Sequence, residues 1–185
     1  LTGLIPRPGG NIYWHGKPVP LNTPVEAIGH GINAVHQEVV LCPHLSVAAN
    51  IFLGEEHLRF GLLRHRNMVH EARKILHDLG FDLPAHVMLG DLTIGQQQLI
   101  ATARAATRGA RFLIFDEPTA YLTRKEAAQL VTLIRRMQAD GITIVYISHR
   151  MEEVFELADR VSVLRDGQLI GTRSIADTSE NELIA

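Results

Sequence analysis

The nine residues Arg111-Phe112-Leu113-Ile114-Phe115-Asp116-Glu117-Pro118-Thr119 carry an apolar run that stops at two adjacent carboxylates and a proline. Four apolar residues in succession suit a strand covered on both faces, as in a parallel sheet flanked by helices. Asp116 and Glu117 then fall at the carboxyl end of that strand, the edge at which open α/β sheets bind ligands. Neighbouring side chains of a strand point to opposite faces, so the two acids can take different tasks. Asp116 has the hard oxygen donors that suit Mg²⁺, and Glu117 can polarise an attacking water. A solvated acidic turn after a core strand also accounts for an isolated Asp-Glu pair, so the neighbours must decide.

The 185 residues bound the chain to one domain, or one with a small subdomain, and 46% hydrophobic residues supply a core. A net charge of −2 argues against an electrostatic grip on nucleic acid or anionic lipid. The ten histidines show no metal-ligand spacing and read mostly as surface residues. Cys42 is the single cysteine, which excludes an internal disulfide and fits a reducing compartment. No apolar run approaches the length of a bilayer-spanning helix, and no segment reads as a signal peptide. The chain opens at Leu1 without a methionine and stops within what reads as a new helix, so it is expected to be a piece of something longer.

In chain order, residues 1–8 read as a helix tail entering a Pro/Gly turn, and 11–15 and 19–21 as short strands around Gly16-Lys17-Pro18. Thr23-Pro24-Val25-Glu26 predicts a helix start with a capping box. A strand over 32–36 runs directly into Gln37, and a short helix over 45–53 is capped by Ser46. Residues 54–66 have no clear period, and 67–79 form an amphipathic helix stopped by Gly80. Together 54–91 read as a mostly helical insertion between two core segments, 1–53 and 92–185, of a single domain. Helices follow over 93–108 and 123–139, each opened by a Thr with Gln or Glu three residues on, with the acidic strand between them. A buried strand over 142–147 leads to Ser148-His149 and a short helix over 151–158. Residues 161–164 and 168–172 predict a hairpin across Asp166-Gly167, and Ser179 caps a last helix.

Three further positions can do chemistry. Gln37 directly follows a buried strand, where its amide can sense a metal ion or a water. His149 follows the strand one βαβ step beyond Glu117, so it can reach the same edge and donate a hydrogen bond to a terminal phosphate. Thr93-Ile94-Gly95-Gln96 places a hydroxyl, a glycine and an amide at a helix N-terminus, a natural anion site. Thr93 and Gln96 equally form an ordinary capping box, and neither role excludes the other.

The order of these pieces resembles the ATP-binding-cassette ATPases. Gln37 is similar to their Q-loop glutamine, Leu92 to Gln96 to the LSGGQ signature, and Asp116-Glu117 to Walker B with its catalytic glutamate. Ala120 to Thr123 is similar to the D-loop and His149 to the switch histidine. Val35-His36-Gln37-Glu38, Leu45 to Gly54 and Tyr146 to Met151 most resemble bacterial importers of monosaccharides or autoinducer-2, in their first cassette. The resemblance implies an α/β P-loop NTPase core with a helical subdomain. It implies ATP and Mg²⁺ as cofactors, the metal attended by Gln37 and Asp116. Glu117, His149 and Gln37 become catalytic, and Thr93, Gly95, Gln96 and Asp116 contact nucleotide. It further implies a head-to-tail second cassette, a transmembrane permease docking over 38–53 and, indirectly, a periplasmic sugar-binding protein. The expected place is the cytoplasmic face of the inner membrane, with no nucleic acid bound.

Several positions depart from the family pattern. Ala49 stands where a glutamate is usual and leaves Ser46 without a capping-box partner; Ile94 replaces a glycine, and Tyr121 is bulky for a D-loop. No G-x-x-x-x-G-K-[ST] phosphate loop occurs, so N-terminal strands of the fold are expected to be missing and apolar surface exposed. The chain alone is expected to bind ATP weakly. A non-catalytic cassette, or one acting on nucleic acid or ribosomes, are the alternatives.

Overall fold

The computed structural model describes residues 1–5, 9–36, 41–55, 58, 59 and 62–184, except the side chains of Leu58, Arg59, Leu62, Leu63 and Ile184. Its centre is a parallel sheet of three strands, β3 (Ile32–Val35), β6 (Phe112–Asp116) and β7 (Thr143–Ile147), in the order β3-β6-β7. The acidic strand is therefore the middle one. Leu113 and Phe115 are fully buried toward the main core, while Phe112 and Ile114 pack on the opposite face. Apolar residues on both faces are what a central parallel strand requires.

On the second face, strands β1 (Ile12–Trp14) and β2 (Lys17–Val19) and helix α1 (Pro24–Gly29) enclose Leu21, Ala27 and Ile32. Trp14 meets Phe112 edge to face at 5.7 Å between ring centres. The hairpin turn is His15-Gly16, both at positive φ, rather than Gly16-Lys17-Pro18; Lys17 and Pro18 pair with Trp14 and Tyr13. A two-residue turn of that kind matches the twist of the flanking strands, which draws Lys17 and Pro18 into the ladder. Thr23 caps α1, but Glu26 accepts from the N–H of Asn22 at 2.7 Å instead of from Thr23. Thr23 sits at φ −132°, against −62° and −66° at the two closed capping boxes of the chain, which turns its N–H away. Residues 1–5 hold bends over 3–5 and no helix tail, and a Cβ on Gly3 would stand 2.4 Å from the backbone of Thr23.

The main core lies between the other face of the sheet and helices α2 (Val47–Ile51), α3 (His65–Asp78), α4 (Ile94–Thr107) and α5 (Arg124–Ala139). Ser46 caps α2 through Ala49 N–H at 3.2 Å. The wholly buried Asn50 amide accepts from Cys42 N–H and donates to the carbonyls of Cys42, Leu45 and Ser46, fixing the preceding loop. Val47, Ala48, Leu89 and Gly90 knit that stretch to residues 85–90 and 43–45 by backbone bonds. Residues 54–66 hold a short antiparallel pair, β4 (Leu58–Arg59) with β5 (Leu62–Leu63), where only aperiodic sequence was legible. Strands of two residues are too short to show a period.

After β7, α6 (Met151–Leu157) packs on α5, and β8 (Arg160–Arg165) pairs with β9 (Gln168–Ser174) through the expected Asp166-Gly167 turn. Helix α7 (Glu180–Ile184) follows. Among the described residues β7 has one unpaired edge, and Ile147, Leu164, Leu169 and Ile170 are exposed, in line with the expected apolar surface. No described helix is long and apolar enough to cross a membrane.

Candidate functional site

Parallel register places the carboxyl ends of β6 and β7 level, with Asp116 opposite Ile147. Glu117 extends the ladder by one step, its N–H donating to the Ile147 carbonyl at 2.9 Å. It then adopts φ +47°, a left-handed conformation that costs a side-chain-bearing residue on the order of 1 kcal/mol. The turn closes through Ala120 N–H to the Glu117 carbonyl and Leu122 N–H to the Thr119 carbonyl. Glu117 Oε1 lies 2.9 Å from His149 Nδ1. The glutamate side chain is 20% exposed and the histidine 78%, so the pair has a sheltered acid and an open ring. Glu117 Oε2 is buried without a hydrogen-bond partner among the described residues. A buried carboxylate oxygen normally has a donor, so this one is matched to a water or a ligand proton. Asp116 is half-buried beside it, and no described residue donates to its carboxylate.

Behind this pair stands a second carboxylate. Glu153 of α6 is buried and accepts from Thr119 Oγ1 at 2.8 and 2.9 Å, Tyr146 OH at 2.7 Å and Ser148 Oγ at 3.3 Å. Arg150 completes the set with an ion pair of 2.8 Å. Burial, and then the bond to Glu153, push the Tyr146 hydroxyl well above the usual phenol range, so it stays a donor. Nothing in the sequence singled Glu153 out: it follows Glu152 on a short helix, and its partners are Thr119 in one stretch and Tyr146, Ser148 and Arg150 in another.

At the start of α4 the capping box is closed. Gln96 N–H donates to Thr93 Oγ1 at 3.2 Å, and Thr93 N–H to Gln96 Oε1 at 3.1 Å. The hydroxyl and the amide oxygen at this helix start thus each accept from the other residue's backbone N–H, and the N–H groups of Ile94 and Gly95 have no partner among the described residues. Gly95 is buried for a reason of packing: a Cβ there would stand 2.7 Å from the Tyr121 carbonyl oxygen. The helix start is therefore joined to the turn after β6, though no described hydrogen bond links Thr93, Gly95 or Gln96 to Asp116, Glu117 or His149.

Gln37 lies outside the described residues. Its neighbour His36 is held by Gln98 of α4, whose Nε2 donates to the His36 carbonyl at 3.1 Å. Gln98 is 2% exposed, and its Oε1 is buried without a partner among the described residues. Beyond a run of three glutamines, nothing in the residues pointed to it. No group of three metal-binding side chains occurs among the described residues. Mg²⁺ is commonly held by one or two carboxylates together with substrate phosphates, so the Asp116 carboxylate, to which no described residue donates, fits such an ion.

The family model described as ABC transporter matches residues 1–120. The chain belongs to the ABC transporter family. Over its whole length it is 45% identical to the ribose import ATP-binding protein RbsA of Geobacillus kaustophilus, and 44% identical to that of Yersinia pestis. It spans 38% and 36% of the length of these two relatives. The ATP-binding cassette MJ1267 superimposes with a TM-score of 0.82 at 24% identity, covering 99% of this chain and 78% of that one. The cassette fold expected from the order of motifs is thus the observed one, an α/β P-loop NTPase core. The family match ends at Ala120, so His149 lies in the stretch beyond it, which the whole-chain relatives cover.

Proposed function

We propose that this chain is part of an ATP-hydrolysing subunit of an importer that takes up a monosaccharide or a sugar-like molecule such as autoinducer-2. The observation that carries the reading is the Glu117–His149 pair at the sheet edge, with a buried oxygen left open on the acid. Glu117 orients the attacking water and draws its proton, and His149 holds its ring toward the terminal phosphate. Asp116, with Gln37, attends a Mg²⁺ ion that neutralises phosphate charge. Thr93, Gly95 and Gln96 face a nucleotide held mainly by a second cassette, through the free N–H groups of the α4 start.

The segment 54–91 is proposed as the helical subdomain of a core made of 1–53 and 92–185. A transmembrane permease docks near residues 38–53, where Asn50 fixes a loop that exposes Pro43, His44 and Leu45 beside Met88. The subunit then sits peripherally on the cytoplasmic face of the membrane, and a periplasmic sugar-binding protein reaches it only through the permease. Because residues 1–185 contain no phosphate loop, this stretch alone binds ATP weakly. Saturable micromolar ATP binding by it would overturn that point.

Phosphate release by the full-length protein, with and without Glu117→Gln, tests the reading. The substitution is expected to lower turnover about 10²-fold or more while ATP stays bound. Undiminished hydrolysis would refute the assigned role.

A further inference from the structure

We propose that Glu153 is a positioning residue for the Glu117–His149 pair, clamping the turn after β6 to the segment after β7; this rests on reading that pair as the hydrolytic site. The carboxylate's partners bracket the pair in sequence and in space. Thr119 lies two residues beyond Glu117, and its hydroxyl reaches both oxygens of Glu153. Ser148 and Arg150 flank His149 on either side, and both donate to Glu153. Ser148 Oγ also accepts from Arg150 N–H at 3.0 Å, which folds the backbone around His149. Tyr146 adds a tie from within β7.

A glutamate at this position demands explanation. Its neighbours on the inner face of α6, Val154 and Leu157, are buried and apolar. A charge placed among them is costly unless paired and hydrogen-bonded. An apolar residue would pack α6 as well but would leave three hydroxyls without their acceptor. Both oxygens of the carboxylate accept, whereas an amide has one accepting oxygen beside an NH₂ that only donates, and a leucine has neither. Glu152, next to it, is exposed and makes none of these contacts.

The clamp has a mechanical purpose. Glu117 occupies a strained left-handed backbone, held by the short turn that Ala120 and Leu122 close. Such a conformation persists only when its surroundings over-determine it. Thr119, 2% exposed and anchored to α6, supplies that constraint from the far side of the turn.

The test uses the full-length protein with Thr119→Val, which removes only the hydroxyl, and Glu153→Gln, which sets an amide donor against hydroxyl donors. Thr119→Ser serves as the rescue and Glu152→Gln as the control. Turnover, the KM for ATP, and hydrogen exchange at the amides of Ala120 and Leu122 are measured. Thr119→Val and Glu153→Gln are expected to lower kcat about tenfold or more, as a misplaced reacting group does. KM should move less than about threefold, and exchange at the two amides should quicken about tenfold. Thr119→Ser and Glu152→Gln should match the parent. Should Glu153→Gln fail to fold, Thr119→Val carries the test. If Thr119→Val keeps both kcat and exchange within about twofold, Glu153 is only a packing residue and the proposal falls. If the unmodified protein hydrolyses no ATP while Thr119→Val still speeds exchange, the hydrolytic reading fails and the clamp stands.

Discussion

The end of β6 and the start of α4 both present polar side chains at the end of a secondary-structure element, yet they dispose of those side chains in opposite ways. At α4 the Thr93 hydroxyl and the Gln96 amide close on each other's N–H groups. At β6 the Glu117 carboxylate gives one oxygen to His149 and keeps the other buried and open. In the first arrangement both side-chain acceptors, Thr93 Oγ1 and Gln96 Oε1, are filled without any ligand. The second is incomplete, and a native protein tolerates that only where something else supplies the missing donor. The difference separates a motif that first of all ends a helix correctly from one whose geometry needs a further molecule.

Removing the exposed partner of the open site gives the largest expected effect. His149→Ala should lower turnover of the full-length protein about 10²-fold, the scale of a positioned acid–base or hydrogen-bonding group. Its stability should stay within about 0.5 kcal/mol, because the ring is 78% exposed and buries little. Steady-state hydrolysis and thermal unfolding read the two separately. A loss of stability matching the loss of rate would make His149 a structural residue and erase the contrast with Thr93.

Gly95→Ala attacks the junction between the two regions. The new methyl would lie 2.7 Å from the Tyr121 carbonyl, and backbone must move to admit it. Overpacking of this kind costs about 1–3 kcal/mol. Thermal denaturation should show it without any nucleotide present. A stability equal to the parent's would mean that the glycine is there for a ligand's approach alone.

Much of this was legible because the signals were local. A four-residue apolar run ending in Asp116-Glu117 and a strand ending before His149 are enough to place both groups at one sheet edge, once sequential parallel strands are taken as neighbours. Caps at Thr93 and Thr123 were readable from the residue three positions on, and the structure closes both as full boxes. What stayed hidden depends on contacts across the chain. Glu153 gathers donors from positions 119, 146, 148 and 150, and Gln98 reaches 62 residues back to His36. Neither shows a period or a spacing. The Glu26 box failed for a subtler reason, since the sequence gives the partner but not the φ at Thr23 that aims its N–H.

The smallest effect is the most discriminating for the comparison. Helix α5 opens with a closed box of the same pattern, Thr123 with Glu126, at 3.3 and 2.8 Å, where the hydroxyl also donates to Glu126 Oε2 at 2.7 Å. Thr93→Ala and Thr123→Ala each remove a cap hydroxyl and should each cost about 1 kcal/mol. If the two substitutions lower stability alike and also lower turnover alike, Thr93 acts as a cap and nothing more. If they match in stability while Thr93→Ala alone loses turnover, and Thr93→Ser restores it, the hydroxyl contacts nucleotide in addition to its helix. The internal control narrows the usual ambiguity of a cap mutation, because the folding cost of a lost cap hydroxyl is measured in the same molecule on a box of the same pattern. Measured in unfolding and hydrolysis side by side, the excess at Thr93 is the part of the motif that belongs to the ligand.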